Sequence, residues 1–301
     1  MPDIPDLTAY IMTGTKYLLP ILALWILLRC IRSMLRERYE PETWAWLLDE
    51  DGAALPVCHW ESIIGRAAKK GAVEINCVQI RDYTENKQMQ VDDYPYGGGR
   101  GAVMQADPLY RCWDHICQEA GERVHTIYLS PCGRVFDQQV AKELKASYER
   151  LILVCGHYEG VDQRFIDECV DEEISMGDFV LTGGEIPAMA LADCLCRMVP
   201  GVLPEESCYT DESHWDGLLE YPQYSRPEEW HGRKVPEVLL SGHHGKVDDW
   251  RKKECYKRTM TRRPDLFSRF DETSLTTKHD RKVLAEAKAE WAAEQESPAA
   301  E

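Results

Sequence analysis

Three times between residues 124 and 184 a short apolar run stops at a glycine-bearing loop, and a helical pattern follows. The runs are 124–129 leading into "SPCGR", 151–155 into "GHYEG", and 170–174 into "SMGDFVLTGGE"; the helical stretches are 137–148, 161–168 and 185–198. Strands alternating with helices predict an α/β fold around a parallel sheet. Ligands of such sheets sit in the crevice beyond the carboxyl ends of the strands, where all three loops lie, so the loops are expected to build one site.

Their chemistry narrows the ligand. The loops hold no lysine and few cations beyond Arg134, but they are rich in glycine, backbone carbonyls and carboxylates such as Glu159 and Asp178. That suits an adenosine carrying a positive group better than a triphosphate, and a sulfonium cofactor fits the description. A further glycine cluster, "YPYGGGRGAVM" at 94–104, permits positive φ and close backbone approach. It has neither the GxGxxG order of a dinucleotide loop nor the GK[ST] ending of a P-loop, so neither nucleotide fingerprint applies.

With 301 residues and 44 % apolar content the chain can bury one large core or two modest ones. Its twelve cysteines are scattered without a CxxC pair, which predicts reduced thiols of a cytosolic protein. His243 and His244 adjoin each other with no cysteine or carboxylate at a zinc-like offset, so no metal site is read. A formal charge of −17 excludes a generally basic nucleic-acid binder and leaves local patches open.

The front end differs from the rest. Residues 7–28 carry Lys16 as their only charge, a run long enough as a helix to reach across a bilayer core, and Arg29, Arg32, Arg36 and Arg38 follow. This is a candidate membrane anchor (1–43 with its basic flank) that would leave the downstream chain in the cytoplasm; a buried core helix is the plain alternative. Next, "WAWLLDEDGAALPVCHWESIIGRA" resembles the opening strands of a forkhead-associated (FHA) phosphothreonine-binding domain over 44–66, without that family's later serine, histidine and asparagine pattern. From about residue 62 a new unit begins, with a basic helix end, an alternating strand at 73–80, a polar loop and the glycine cluster.

"YGGGRGAVM", "YLSPCGRVFDQ", "LILVCGHYEGVDQR", "DEEISMGDFVLTGGEIPAMALAD" and "RMVPGVL" resemble, in order and spacing, the bacterial tRNA (guanine-N(1)-)-methyltransferase family, TrmD, of the SPOUT class. The resemblance continues through "DGLLEYPQYSRPEEWHGRKVPEVLLSGHHGKVDDWRKKECYKRTMTRRPDLF" and covers roughly 62–267. It implies an α/β knot domain over 62–205, whose C-terminal strands and loops thread into a trefoil, a linker at 206–226, and a helical tRNA-binding domain with an acidic tail at 227–301. It implies S-adenosylmethionine as the methyl donor, guanosine 37 of tRNA as the acceptor, a homodimer, and Mg²⁺ as an admissible helper ion. The family normally opens with a strand, a Phe-Pro turn and a helix; here other residues stand there, and "ALPVCHW" is the candidate for the first strand. The rival reading is a membrane-tethered FHA-like phosphopeptide-binding protein, or an inactive chimera.

Carried over residue by residue, the resemblance places the cofactor against Tyr128, Leu129, Ser130, Pro131 and Gly133 in the first loop and Gly156, Tyr158, Glu159 and Gly160 in the second. In the third it selects Ser175, Met176, Gly177, Asp178, Phe179, Val180, Leu181, Gly183, Gly184 and Pro187. It assigns Arg197 to charge stabilisation at guanine O6; alone, that arginine reads as a helix end meeting its own dipole. The family's general base is an aspartate, and in "YTDESHWDGLLE" Glu212 holds its position with Asp211 as the alternative one residue earlier. The extra methylene of glutamate shifts the accepting oxygen by about 1 Å, which uncompensated costs on the order of a hundredfold. In "GKVDDWRKKECYKRTMTRRPDLF" a helix ending at Pro264 should present Arg251, Lys252, Lys253, Lys257, Arg258, Arg262 and Arg263 as a cationic face, with Trp250 and Tyr256 nearby, and the resemblance makes it the tRNA contact. Residues 285–301 should form a helical or frayed acidic tail.

Overall fold

Helix α1 (Ile63–Lys69) opens the part of the chain that the computed structural model describes, residues 63–296. The stretch expected to end the alternating FHA-like segment is therefore helical at 63–66, with Ile64 and Ala67 buried. The candidate anchor at 7–28 lies outside the described residues; among those described, no helix is long and apolar enough to cross a membrane.

Residues 73–80, expected as a strand, join no ladder among the described residues. Burial follows the alternation over the first four residues, with Val73 and Ile75 half-buried and Glu74 and Asn76 exposed; it lapses over 77–79, all half-buried, before Ile80 is fully buried at the start of a 3-10 turn, Ile80–Tyr83. Alternation states which side chains are buried, whereas a strand also needs a neighbour for its N–H and C=O groups. A two-residue antiparallel ladder, Asp92 opposite Met104 and Asp93 opposite Val103, closes the glycine cluster ahead of α2 (Ala106–Ala120). Gly121 ends α2 in the left-handed conformation (φ 74°), donating its N–H to the carbonyls of Cys117 and Gln118.

The sheet is parallel, as expected. Strand β1 (His125–Val135) lies between β2 (Leu151–Cys155) and β3 (Glu172–Ser175). Helices α3 (Gln138–Ser147), α4 (Gln163–Cys169) and α5 (Glu185–Cys196) follow the three strands in turn. Alternate strand residues serve two layers. Tyr128, Ile152 and Val154 pack with Leu109 and Cys112 of α2 and Phe165 and Cys169 of α4. Ile127, Leu129, Cys155 and Ile174 pack with Val140 and Leu144 of α3 and Ala188 and Leu191 of α5. Burial on both faces explains the near-continuous apolar runs that made these strands visible in the sequence. The buried Thr126 is satisfied: its Oγ1 accepts from Trp113 Nε1 at 2.9 Å and donates to the Val124 carbonyl at 2.9 Å, while its N–H donates to Asp171 at 2.8 Å.

One boundary differs in an informative way. β1 does not stop at 129 but continues through "SPCGR" to Val135, with Leu129 and Arg134 both opposite Ile174 of β3. Residues 130–133 are thus looped out of a ladder that resumes beyond them.

Beyond α5 the chain runs through short turns to α6 (His244–Arg262) and α7 (Lys278–Glu296). Arg263, before Pro264, leaves the helical region at φ −139°, ψ 64° and stops α6, and Pro264–Phe267 forms a separate helical turn. Tyr256 and Met260 of α6 bury against Val283, Leu284 and Ala287 of α7 together with Leu218. The fully buried Thr259 accepts from the Leu219 N–H at 2.8 Å and so fastens the preceding linker to α6.

Candidate functional site

The three loops do converge. They enclose a cavity of about 510 Å³ between the looped-out part of β1, the carboxyl ends of β2 and β3 and the first turn of α5. Of the residues expected to hold the cofactor, Tyr128 to Pro131, Gly156, Tyr158 to Gly160, Ser175, Met176, Phe179 to Leu181, Gly183, Gly184 and Pro187 line it. Gly133, Gly177 and Asp178 lie outside that lining.

Two of these three positions shape the loops. A Cβ on Gly133 would lie 2.3 Å from the backbone carbon of Glu173, so this glycine lets the looped-out part of β1 press on β3. Gly177 turns at φ +138°, and Ser175 Oγ braces that turn, donating to the Gly177 carbonyl at 3.1 Å and accepting from its N–H at 3.2 Å. At the seam between the second and third loops Gly184 donates to the Gly156 carbonyl at 3.0 Å, and a Cβ there would lie 2.6 Å from Cys155 Cα. Beneath Gly183, His157 Nε2 pairs with the buried carboxylate of Glu185. Tyr158, at the tip of the second loop, holds φ +56°, a conformation that costs on the order of 1–3 kcal/mol for a residue with a side chain and that the surrounding loop must impose.

Cys132, His157 and Thr182, inside the three expected loops, also face the cavity, as do Glu173 and Gln163, which the sequence reading missed. Glu173 was legible in principle, because strand alternation puts it one step before the buried Ile174. The lining carries the carboxylates of Glu159 and Glu173 and neither a lysine nor an arginine. Burial, and then the charge of Glu173, pushes the Tyr128 phenol above its ordinary range, so it stands as a neutral donor at the cavity floor. Glycine-lined loops, two carboxylates and no phosphate-binding cation fit a sulfonium-bearing adenosine, and the volume falls within the range of small-molecule sites.

Arg197 and Glu212 are brought together. Arg197 caps the end of α5, and its Nη1 and Nη2 donate to Glu212 Oε2 and Oε1 at 2.6 and 2.8 Å, a two-pronged pair. Glu212 also holds the guanidinium firmly protonated. The longer side chain at 212 therefore closes on Arg197, while Asp211 is exposed and makes its side-chain contact with Thr210 Oγ1 at 3.4 Å. None of the three lines the cavity. The cavity touches the first turn of α5 and Arg197 ends it, twelve residues on, a separation of about 18 Å along the helix.

The cationic face on α6 is largely spoken for. Lys252 pairs with Asp280 at 2.8 Å, Lys253 with Glu286 and Glu290 at 2.7 and 2.9 Å, Lys257 with Glu294, and Arg263 with Asp265 at 2.7 Å. Lys252 and Lys257 thus face the acids of α7, and Arg263 faces the turn after α6. Tyr256 is core, its phenol pushed up to about 12 by burial. Arg251 lies 4.9 Å over the Tyr221 ring. Arg258 and Arg262, one helical turn apart, have no acidic partner within salt-bridge distance among the described residues. Burial pushes Cys112 up to about 12 and Cys169, Cys196 and Cys255 up to about 11, the behaviour of inert core thiols.

A family model described as tRNA (Guanine-1)-methyltransferase TrmD matches residues 54–269. The match starts ahead of 62 and takes in 54–66, so the FHA-like reading is not supported there; 44–62 lie outside the described residues. A tRNA (guanine-N(1)-)-methyltransferase of Ruminiclostridium cellulolyticum is 54 % identical over 215 residues, 71 % of this chain and 92 % of its own. One of Alkaliphilus oremlandii is 50 % identical over 232 residues (75 % and 91 %), and one of Clostridioides difficile 49 % over 213 (70 % and 92 %).

Proposed function

The chain belongs to the tRNA (guanine-1)-methyltransferase family, and from that premise we propose how its residues move a methyl group from S-adenosylmethionine to N1 of a tRNA guanosine, at position 37 beside the anticodon. What supports the cofactor assignment is the single cavity on which three loops converge, lined by Glu159 and Glu173 without a lysine or arginine. When bound there, S-adenosylmethionine supplies an electrophilic methyl on a positively charged sulfur. The nested glycines at 156, 183 and 184 bring backbone N–H and C=O groups close to it, and the two carboxylates answer its charge.

Guanine offers N1–H and O6 side by side. A carboxylate and a guanidinium held in one plane match that edge, so the base can insert by exchanging one of the two Arg197–Glu212 hydrogen bonds. Glu212 would then accept the proton that leaves N1 when the base takes the methyl group the bound cofactor would supply. Arg197 donates to O6 as negative charge builds there. Asp211 is the alternative base; the contact of Glu212 with Arg197 favours Glu212.

We further propose a homodimer in which the Arg197–Glu212 end of one chain serves the cofactor cavity of its partner, because within one chain α5 holds the two about 18 Å apart. The knot threading of the SPOUT class, the division at 62–205, 206–226 and 227–301, a cytoplasmic place of work and any need for Mg²⁺ belong to the same proposal. Incubation of the full chain with labelled cofactor and a tRNA transcript tests it. One-methylguanosine at position 37, absent from a transcript with adenosine there, is the expected product; methylation at another site would refute the reading.

For tRNA contact the proposal narrows to Arg258 and Arg262, with Arg251 beside them. Arg258→Ala and Arg262→Ala should each weaken tRNA binding and reduce the slope of log affinity against log salt by about 1. Lys252→Ala and Lys257→Ala should leave that slope nearly unchanged and instead lower the protection of α7 amides from hydrogen exchange. Filter binding across a salt series separates the two groups.

A further inference from the structure

Glu212 sits in the linker, and linkers do not place a carboxylate unaided. Residues 209–215 form a closed loop: Tyr209 meets the edge of Trp215 at 5.1 Å between ring centroids, and the Trp215 N–H donates to the Glu212 carbonyl at 3.4 Å. Asp211 and Glu212 ride between the two rings. The loop is fastened to the sheet domain through one side chain of α3. Lys142 Nζ lies 4.0 Å from the centroid of the Trp215 ring and also donates to the Trp215 carbonyl.

The same face of α3 holds the other half of the pair. Gln138, one turn before Lys142, donates to Met198 Sδ at 3.5 Å and accepts from Cys194 Sγ at 3.9 Å, bracketing Arg197 at the end of α5. One helical face thus touches both the segment carrying Arg197 and the segment carrying Glu212. We infer that Lys142 is a positioning residue for methyl transfer: its clamp on Trp215 holds the linker so that its acid meets Arg197. The inference rests on the proposed role of the linker acid and adds the device that places it. A cation held over an indole and hydrogen-bonded to its backbone fixes both the direction and the distance of a loop that is otherwise half exposed.

The test is Lys142→Met, which keeps the stem and removes the cation. Turnover at saturating substrates should fall by roughly tenfold or more, while the dissociation constant for S-adenosylmethionine stays within about twofold of the parent. Lys142→Arg should restore turnover to within about threefold, because a guanidinium can also stack on the indole and donate to the carbonyl. Trp215→Leu should show the same split from the other side of the contact. On a Glu212→Gln background Lys142→Met should cost little more, since both changes remove one function. Parental turnover in Lys142→Met, a matching loss of cofactor affinity, or additive losses in the double variant would each overturn the clamp. Parental turnover in Glu212→Gln alone would remove the assignment of the base; the clamp is then judged by Lys142→Met, which reads the placement of a linker whose other acid is Asp211.

Discussion

Arg197→Ala should lower methyl transfer by about two to three orders of magnitude while leaving S-adenosylmethionine affinity within about twofold. The two halves of this prediction come from opposite ends of α5. The first turn of the helix borders the cofactor cavity, so nothing that binds the cofactor is removed. The far end loses the donor proposed for O6, and Glu212 loses the partner that orients it through two hydrogen bonds at 2.6 and 2.8 Å. Arg197→Lys should recover little of the loss, because an ammonium cannot present two parallel N–H donors to a carboxylate. Single-turnover kinetics beside calorimetric titration measure both quantities on one preparation. Unaltered turnover in Arg197→Ala would remove the arginine from the chemistry.

Gly133→Ala should damage binding and stability together. The added methyl would lie 2.3 Å from the backbone carbon of Glu173 and 2.4 Å from both its carbonyl oxygen and the Ile174 nitrogen. Those are main-chain atoms of β3, opposite a residue on the central strand, and they cannot swing aside as a side-chain tip would. Either the looped-out segment 130–133 lifts away from β3 or the ladder shifts; overpacking of this kind costs about 1–3 kcal/mol and here it also opens the first cofactor loop. A lowered melting temperature with a loss of cofactor affinity of roughly tenfold or more is expected. Gly245→Ala is the control: nothing lies within 4 Å of its added methyl, and its backbone is not in the left-handed region. It should melt like the parent.

How far the sequence could be read follows from the range of the forces involved. The three strands and their loops were legible because burial on both faces writes a local, near-continuous apolar run, and because the glycines sit where each run ends. The continuation of β1 through "SPCGR" was not, since Leu129 and Arg134 share Ile174 as partner and that pairing spans some forty residues of chain. Residues 73–80 show the converse: an alternating pattern was present and burial followed it over 73–76, but no ladder formed among the described residues. The ion pairs of the α6 lysines were hidden for a similar reason. Their charge is local, whereas the acids that occupy Lys252 and Lys257, Asp280 and Glu294, lie on the next long helix. Arg197 and Glu212 could be named only through family resemblance, because fifteen residues of linker and helix end carry no periodicity that would bring them together.

Titration of S-adenosylmethionine into the parent, Gly133→Ala and Arg197→Ala forms of the full chain bears most directly on the convergence of the three loops. One site per chain, competed by the demethylated product, sharply weakened in Gly133→Ala and preserved in Arg197→Ala, is the predicted pattern. Absence of binding heat in the parent chain, or undiminished affinity in a folded Gly133→Ala, would contradict it.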